Sequence, residues 1–256
     1  MKSINFNKVN FWNEDNIGVI AINNNIQNFL DIDVIVQLSA ALMIANNDDK
    51  VRWIAITGTG SSFFTAGVPW EFIEPTYASI RELVSNIKTL FSVLSTTPKP
   101  IVAVLNGSAV GLGMELALAS DLTIAPPDVY LCYPEGAVDV PTLFSFNTLI
   151  QKLPRYDALN VLAGSPLPAS VAAERGLIYM VGRDNLFGDA KSLIKQIKIN
   201  QYTKELLYEN IRRTIEPASS RLLDALLQNL LDSKKREVFL KTVRNLRNSC
   251  ISKYKI

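Results

Sequence analysis

The sequence predicts an α/β fold, and three observations predict it. Apolar runs of strand length recur through the first two thirds, helical segments alternate with them, and glycine-bearing turns follow two of the strands. With 256 residues, 48% hydrophobic and 20% charged, the chain can bury one sizeable core and carry a smaller appended unit. We divide it into a core over residues 1–181 and a C-terminal helical subdomain over residues 182–256.

Residues 17–22 and 51–57 read as strands around an apolar-rich helix at 31–46 that opens on acidic residues, an order that implies a parallel crossover. A turn from Gly58 to Gly67 leads to a helix over 76–96, which Thr97-Pro98-Lys99-Pro100 ends. Residues 101–105 form a buried strand. Next comes Asn106-Gly107-Ser108-Ala109-Val110-Gly111-Leu112-Gly113-Met114-Glu115, which sets glycines and one carboxylate at the start of an apolar helix. Short strands at 122–125 and 130–133 flank the turn at Pro126-Pro127. Beyond Pro154, helices are expected at 158–162, 169–175, 187–199, 203–213 and 219–231, with a strand-like stretch at 178–181.

The chain contains no histidine, which excludes Ser-His-Asp hydrolysis, HExxH zinc chemistry and facial-triad iron. Acid–base work then falls to carboxylates, lysine, tyrosine or cysteine with shifted pKa values. Cys132 and Cys250 stand far apart, with no spacing that suggests a disulfide framework or a metal site, and no metal is expected. Without an apolar leader or a long apolar run, the chain is expected to be soluble and cytoplasmic, with no membrane partner. From Asp232 to Ile256 eight basic residues face two acidic ones, while Phe239, Val243, Leu246 and Cys250 follow helical spacing. The pattern predicts an amphipathic helix with a solvated basic face, phosphate binding being the sharper alternative.

Gly58-Thr59-Gly60 lacks both the third glycine of a dinucleotide fingerprint and the Gly-Lys-Ser/Thr of a P-loop. More informative are Ala66-Gly67-Val68 and Gly111-Leu112-Gly113, since each turn can present a backbone N–H to negative charge on a carbonyl oxygen. Glu115 and Glu135 sit in apolar company, and burial would raise their pKa values toward neutrality. Taken singly, each feature has an ordinary structural reading: a bend, a helix-start acid, a strand-end acid.

Together these segments resemble the crotonase (enoyl-CoA hydratase/isomerase) superfamily over roughly residues 17–181. The resemblance implies a spiral of strand–strand–helix units with a C-terminal helical part used in trimers or dimers of trimers. It implies an acyl-CoA thioester as substrate, no separate cofactor, and an enolate mechanism. Val68 and Leu112 would supply the oxyanion-hole amides, Glu115 and Glu135 the catalytic carboxylates, and Ala66, Gly67 and Gly111 the backbone along the CoA. Hydration of a 2-enoyl-CoA is the leading expectation because both glutamates are present. Two departures stand out: Pro69-Trp70-Glu71 lacks the family's basic CoA contact, and Pro141-Thr142-Leu143-Phe144-Ser145-Phe146 replaces a glycine-rich turn. The second is closer to the isomerase branches, so 3-enoyl to 2-enoyl isomerisation is the alternative. A non-catalytic relative that binds CoA or nucleic acid comes last, since basic faces are usually just solvated.

Overall fold

The computed structural model describes residues 3–199 and 201–250. The chain opens with strands β1 (Ser3–Asn5), β2 (Val9–Glu14) and β3 (Ile17–Ile22), which pair antiparallel. Helix α1 (Ile32–Asn47) begins at Asp31, whose side chain accepts the Val34 N–H and so caps the first turn. It crosses to β4 (Trp53–Gly58), parallel to β3, as the strand–helix–strand pattern predicts. After β5 (Phe63–Thr65) comes α2 (Tyr77–Thr96), capped by Thr76 and buried along Ile80, Leu83, Ile87, Leu90 and Leu94.

The next units are β6 (Ile101–Val104), β7 (Ser108–Val110), α3 (Leu112–Leu118), β8 (Leu122–Ala125) and β9 (Tyr130–Cys132). Two sheets result: a seven-stranded one with β3, β4, β6 and β8 parallel, and a four-stranded one in which β5, β7 and β9 run parallel side by side. Then follow α4 (Ser145–Lys152), α5 (Arg155–Leu162), β10 (Leu167–Pro168), α6 (Ala169–Glu174), β11 (Tyr179–Met180), α7 (Leu186–Ile194), α8 (Gln201–Leu230) and α9 (Ser233–Ser249). The apolar core runs unbroken from the sheets into α8 and α9, through Leu222, Leu226, Phe239 and Val243.

Five sequence expectations need correction. Residues 203–213 and 219–231 form one helix, not two, because α8 continues through Pro217. Helix α7 stops at Ile194, short of residue 199. Helix α4 begins at the end of the segment read only as an apolar departure and continues to Lys152, and it has no side-chain cap of its own. Cys132 and Cys250 are bonded to each other: the fold brings their Cα atoms to 6.6 Å across 118 residues of sequence, a proximity that spacing does not encode. Of the basic tail, Arg247 is 3% exposed rather than solvated, and Lys253 and Lys255 lie outside the described residues.

No helix among the described residues is long and apolar enough to cross a membrane. Nor do any histidine, cysteine, aspartate or glutamate side chains among them cluster as metal ligands. Helix α8 is tied to the core by a buried ion pair, Lys204 Nζ to Asp121 Oδ2 at 3.0 Å. Asp121 Oδ2 also accepts the Ile101 N–H, at the start of β6.

Candidate active site

The three adjacent parallel strands β5, β7 and β9 deliver three functional groups to one edge of their sheet. Thr65 pairs with Ala109 and Val110 with Cys132, so the chain leaves the sheet at neighbouring points toward Val68, Leu112 and Glu135. Asn106 joins the loops before these strands: its Oδ1 accepts the Gly58 N–H at 2.8 Å, and its Nδ2 donates to Gly60 and Phe63 carbonyls at 2.9 Å.

Both exits turn through glycines with positive φ, Gly67 at 78° and Gly111 at 56°. They converge: a Cβ placed on Gly67 would lie 3.5 Å from Leu112 N. Each turn is anchored through the carbonyl of the peptide whose N–H faces the site. Leu30 N donates to Gly67 O at 2.9 Å, and Glu115 N to Gly111 O at 3.2 Å. That fixes the Val68 and Leu112 N–H groups, and neither has an acceptor among the described residues although both residues are buried. Both residues line one cavity, and two unpartnered amides so placed are chemically suited to hold negative charge on an oxygen. Ala66 is buried among Phe63, Val110 and Cys132, with its N–H on Gln27 O.

Glu135 is 3% exposed. Its Oε1 accepts the Trp70 indole Nε1–H at 2.9 Å, while Oε2 is buried with no partner among the described residues. Burial pushes its carboxyl above the usual range, opposed by the Trp70 hydrogen bond and the Arg247 charge. Trp70 is itself held edge-on by Phe239 of α9, with ring centres 5.4 Å apart. The ordinary reading of Glu135 as a solvent-facing acid therefore fails.

Glu115, at 1% exposure, is engaged quite differently. Its Oε1 accepts from Leu143 N at 3.1 Å and Ser145 Oγ at 2.7 Å; its Oε2 accepts from Phe144 N at 2.8 Å and Ser145 N at 3.1 Å. It thus supplies from a distance the cap that α4 lacks. Burial raises its pKa, and the four donors pull the other way. The phenol of Tyr133 between them is pushed well above its ordinary value by burial and by both carboxylates.

Val68, Leu112, Glu115, Tyr133, Glu135 and Leu143 line one small cavity of about 20 Å³. A single water needs on the order of 10–15 Å³, so the space suits one water between two carboxylates. Tyr133, Val140 and Leu143 separate it from an open groove of about 560 Å³ that also borders Phe144, Phe146 and Leu159. All four groups expected from sequence at the reacting centre are thus brought together. Sequence reasoning missed Trp70, Ser145 and Arg247 as their partners. Only the oddity of the Pro69-Trp70-Glu71 and Leu143-Phe144-Ser145 stretches could have flagged the first two, and nothing flagged the third.

A family model described as enoyl-CoA hydratase/isomerase matches residues 13–244. A protein of Bacillus subtilis (strain 168) named Probable enoyl-CoA hydratase is 31% identical over 210 residues, covering 76% of this chain and 79% of that protein. The Crotonyl-CoA hydratase of Syntrophomonas wolfei is 31% identical over 144 residues, 56% of this chain and 54% of that one. In fold, the chain resembles a solved enoyl-CoA hydratase/isomerase from Xanthobacter autotrophicus Py2, with a TM-score of 0.80 at 21% identity, covering 98% and 100% of the two chains.

Proposed function

The chain belongs to the enoyl-CoA hydratase/isomerase family, and we propose that it hydrates a 2-enoyl-CoA to the 3-hydroxyacyl-CoA. The observation that carries this reading is the cavity itself, where two unpartnered amides and two buried carboxylates surround room for one water. Val68 and Leu112 N–H groups hold the thioester oxygen as negative charge builds there. Losing one such donor costs about 2.7–4 kcal/mol in a transition state. Glu135, whose burial favours the neutral acid, gives its proton to the α-carbon as the water oxygen bonds to the β-carbon. The proton released by that water passes to Glu115 once the Ser145 hydroxyl rotates off Oε1 and then returns to Glu135 before the next turnover, so one water is added and both carboxyl groups end as they began. Ala66, Gly67 and Gly111 are the backbone along which the CoA arm runs. We also propose assembly into trimers or dimers of trimers, supported by apolar side chains left exposed on α8, Tyr202 at 78% and Leu206 at 72%.

A second reading, isomerisation of a 3-enoyl-CoA, is favoured by one observation: four protein donors occupy Glu115, whereas Glu135 keeps an open oxygen. A single carboxylate could then carry one proton from the α-carbon to the γ-carbon. Loss of conjugated-thioester absorbance with 2-enoyl-CoA substrates of several chain lengths tests hydration, and no loss at any length refutes it. Under hydration, Glu115→Gln and Glu135→Gln each abolish turnover. Under isomerisation Glu115→Gln is tolerated.

A further inference from the structure

Helix α9 does more than cover the site. Arg247, in its last turn, donates from Nη2 to Val68 O at 3.0 Å, lies 3.5 Å from Glu71 Oε1 through Nη1, and stacks over the Phe29 ring at 5.0 Å. Val68 O also accepts Trp70 N at 3.0 Å, so one carbonyl, a peptide beyond the Val68 amide, ties Arg247 to the turn whose indole holds Glu135. Three residues further on, Cys250 is bonded to Cys132, which ends the strand leading to Glu135. Cys250 O accepts the Ser108 hydroxyl of β7 at 3.1 Å. The final turn of α9 is therefore attached after β5, at the end of β9 and at the start of β7, the three strands that build the site. Arg247 and Cys250 both lie past residue 244, where the family match ends.

We infer that Arg247 is a positioning residue for the Val68 amide and the Glu135 carboxylate, and that the Cys132–Cys250 disulfide holds it there, so that reduction loosens the site. The inference rests on the roles proposed above for Val68 and Glu135. Burying a guanidinium is unfavourable unless its charge is answered, and Glu71 answers it only at 3.5 Å while Arg247 Nε has no partner among the described residues. The rest of its field reaches Glu135 and favours the ionised carboxylate, against burial. The other ionisable groups around Glu135 are Glu115 of α3 and Tyr133, which precedes it in the chain. A helix end frays unless tied down, and the disulfide is the tie. A dithiol supplies two electrons and two protons: the S–S bond becomes two thiols and the reductant becomes its own cyclic disulfide.

Trp70 gives a readout that needs no turnover, because its indole is bonded to Glu135. Tryptophan fluorescence is followed against pH for the unaltered chain, R247Q and R247K, with E135Q as the control that lacks the transition. R247Q is expected to raise the midpoint by about half a pH unit or more, and R247K to leave it near the starting value. Dithiothreitol is expected to move the midpoint of the unaltered chain in the same direction as R247Q and to leave C250S unmoved. An unchanged midpoint in R247Q, or an equal shift in R247K, overturns the positioning role. An unchanged midpoint after reduction, or two free thiols in the untreated chain by alkylation and mass, overturns the role of the disulfide. Should R247Q fail to fold, the reductant arm on the unaltered chain decides. Enoyl-CoA turnover on the same samples separates the two readings: a shifted midpoint without any turnover removes the proposed function and leaves only the coupling of Arg247 and the disulfide to Glu135.

Discussion

The Glu135 carboxylate rests against the α-carbon of Gly111: a Cβ there would lie 2.4 Å from Glu135 Oε1. Gly111 also sits at φ 56°, ψ −122°, a region that side-chain-bearing residues avoid. Gly111→Ala is therefore expected to lose about 1–3 kcal/mol of stability from backbone strain alone. It should also lower kcat at least tenfold, because both the Leu112 amide and Glu135 move. Urea unfolding and steady-state kinetics measure the two effects separately.

Glu115→Gln is expected to destabilise the fold whatever it does to turnover. The amide nitrogen would face N–H or O–H donors from Leu143, Phe144 or Ser145, leaving them unpaired and costing about 1–3 kcal/mol. Urea midpoints for this variant and for Ser145→Ala, which removes one donor and leaves none unpaired, should differ with the glutamine the less stable. Equal midpoints would contradict the capping role of Glu115.

Stability should fall with rising pH on account of Glu135. Its folded pKa is raised by burial, so between the ordinary carboxylate range and the raised value the folded chain binds more protons than the unfolded one. The penalty is absent below that window and complete above it. Glu135→Gln keeps an acceptor for the Trp70 indole and removes the buried charge. Its melting temperature should exceed that of the parent at pH 8 and match it near pH 4.

Lys204→Met is expected to cost about 3–5 kcal/mol, since it strands Asp121, whose side chain is 0% exposed, as a buried charge without its partner. Asp121→Asn with Lys204→Met should recover part of that loss in a double-mutant cycle. Full additivity would show that the pair does not couple.

The sheets were legible because strand periodicity and helix caps are local: Asp31 and Thr76 announce the helices they cap. Val68, Leu112, Glu115 and Glu135 each carry an ordinary structural reading in isolation, and only the resemblance of their consecutive motifs to a family pattern singled them out together. What escaped depends on distance. The cap of α4 comes from Glu115, 30 residues before Ser145, and no window around α4 contains it. Proline at 217 signals a helix end locally, yet α8 continues past it because Ala218, Leu222 and Leu226 are buried in the core. The pairing of Cys132 with Cys250 and the burial of Arg247 follow from where α9 docks, which composition and spacing leave open.

Under the proposed function, the narrowness of the cavity bears on how fast substrate can be loaded. With about 20 Å³ available in the cavity that Glu115 and Glu135 line, the proposed acyl thioester would need the wall of Tyr133, Val140 and Leu143, or a neighbour, to move before it could enter. Association is then gated: the observed on-rate is the encounter rate scaled by the fraction of time the wall stands open, and the apparent affinity is weakened by the same fraction. Because Leu143 N donates to Glu115 Oε1, the carboxylate proposed to take the water's proton would also be the group that restrains that wall.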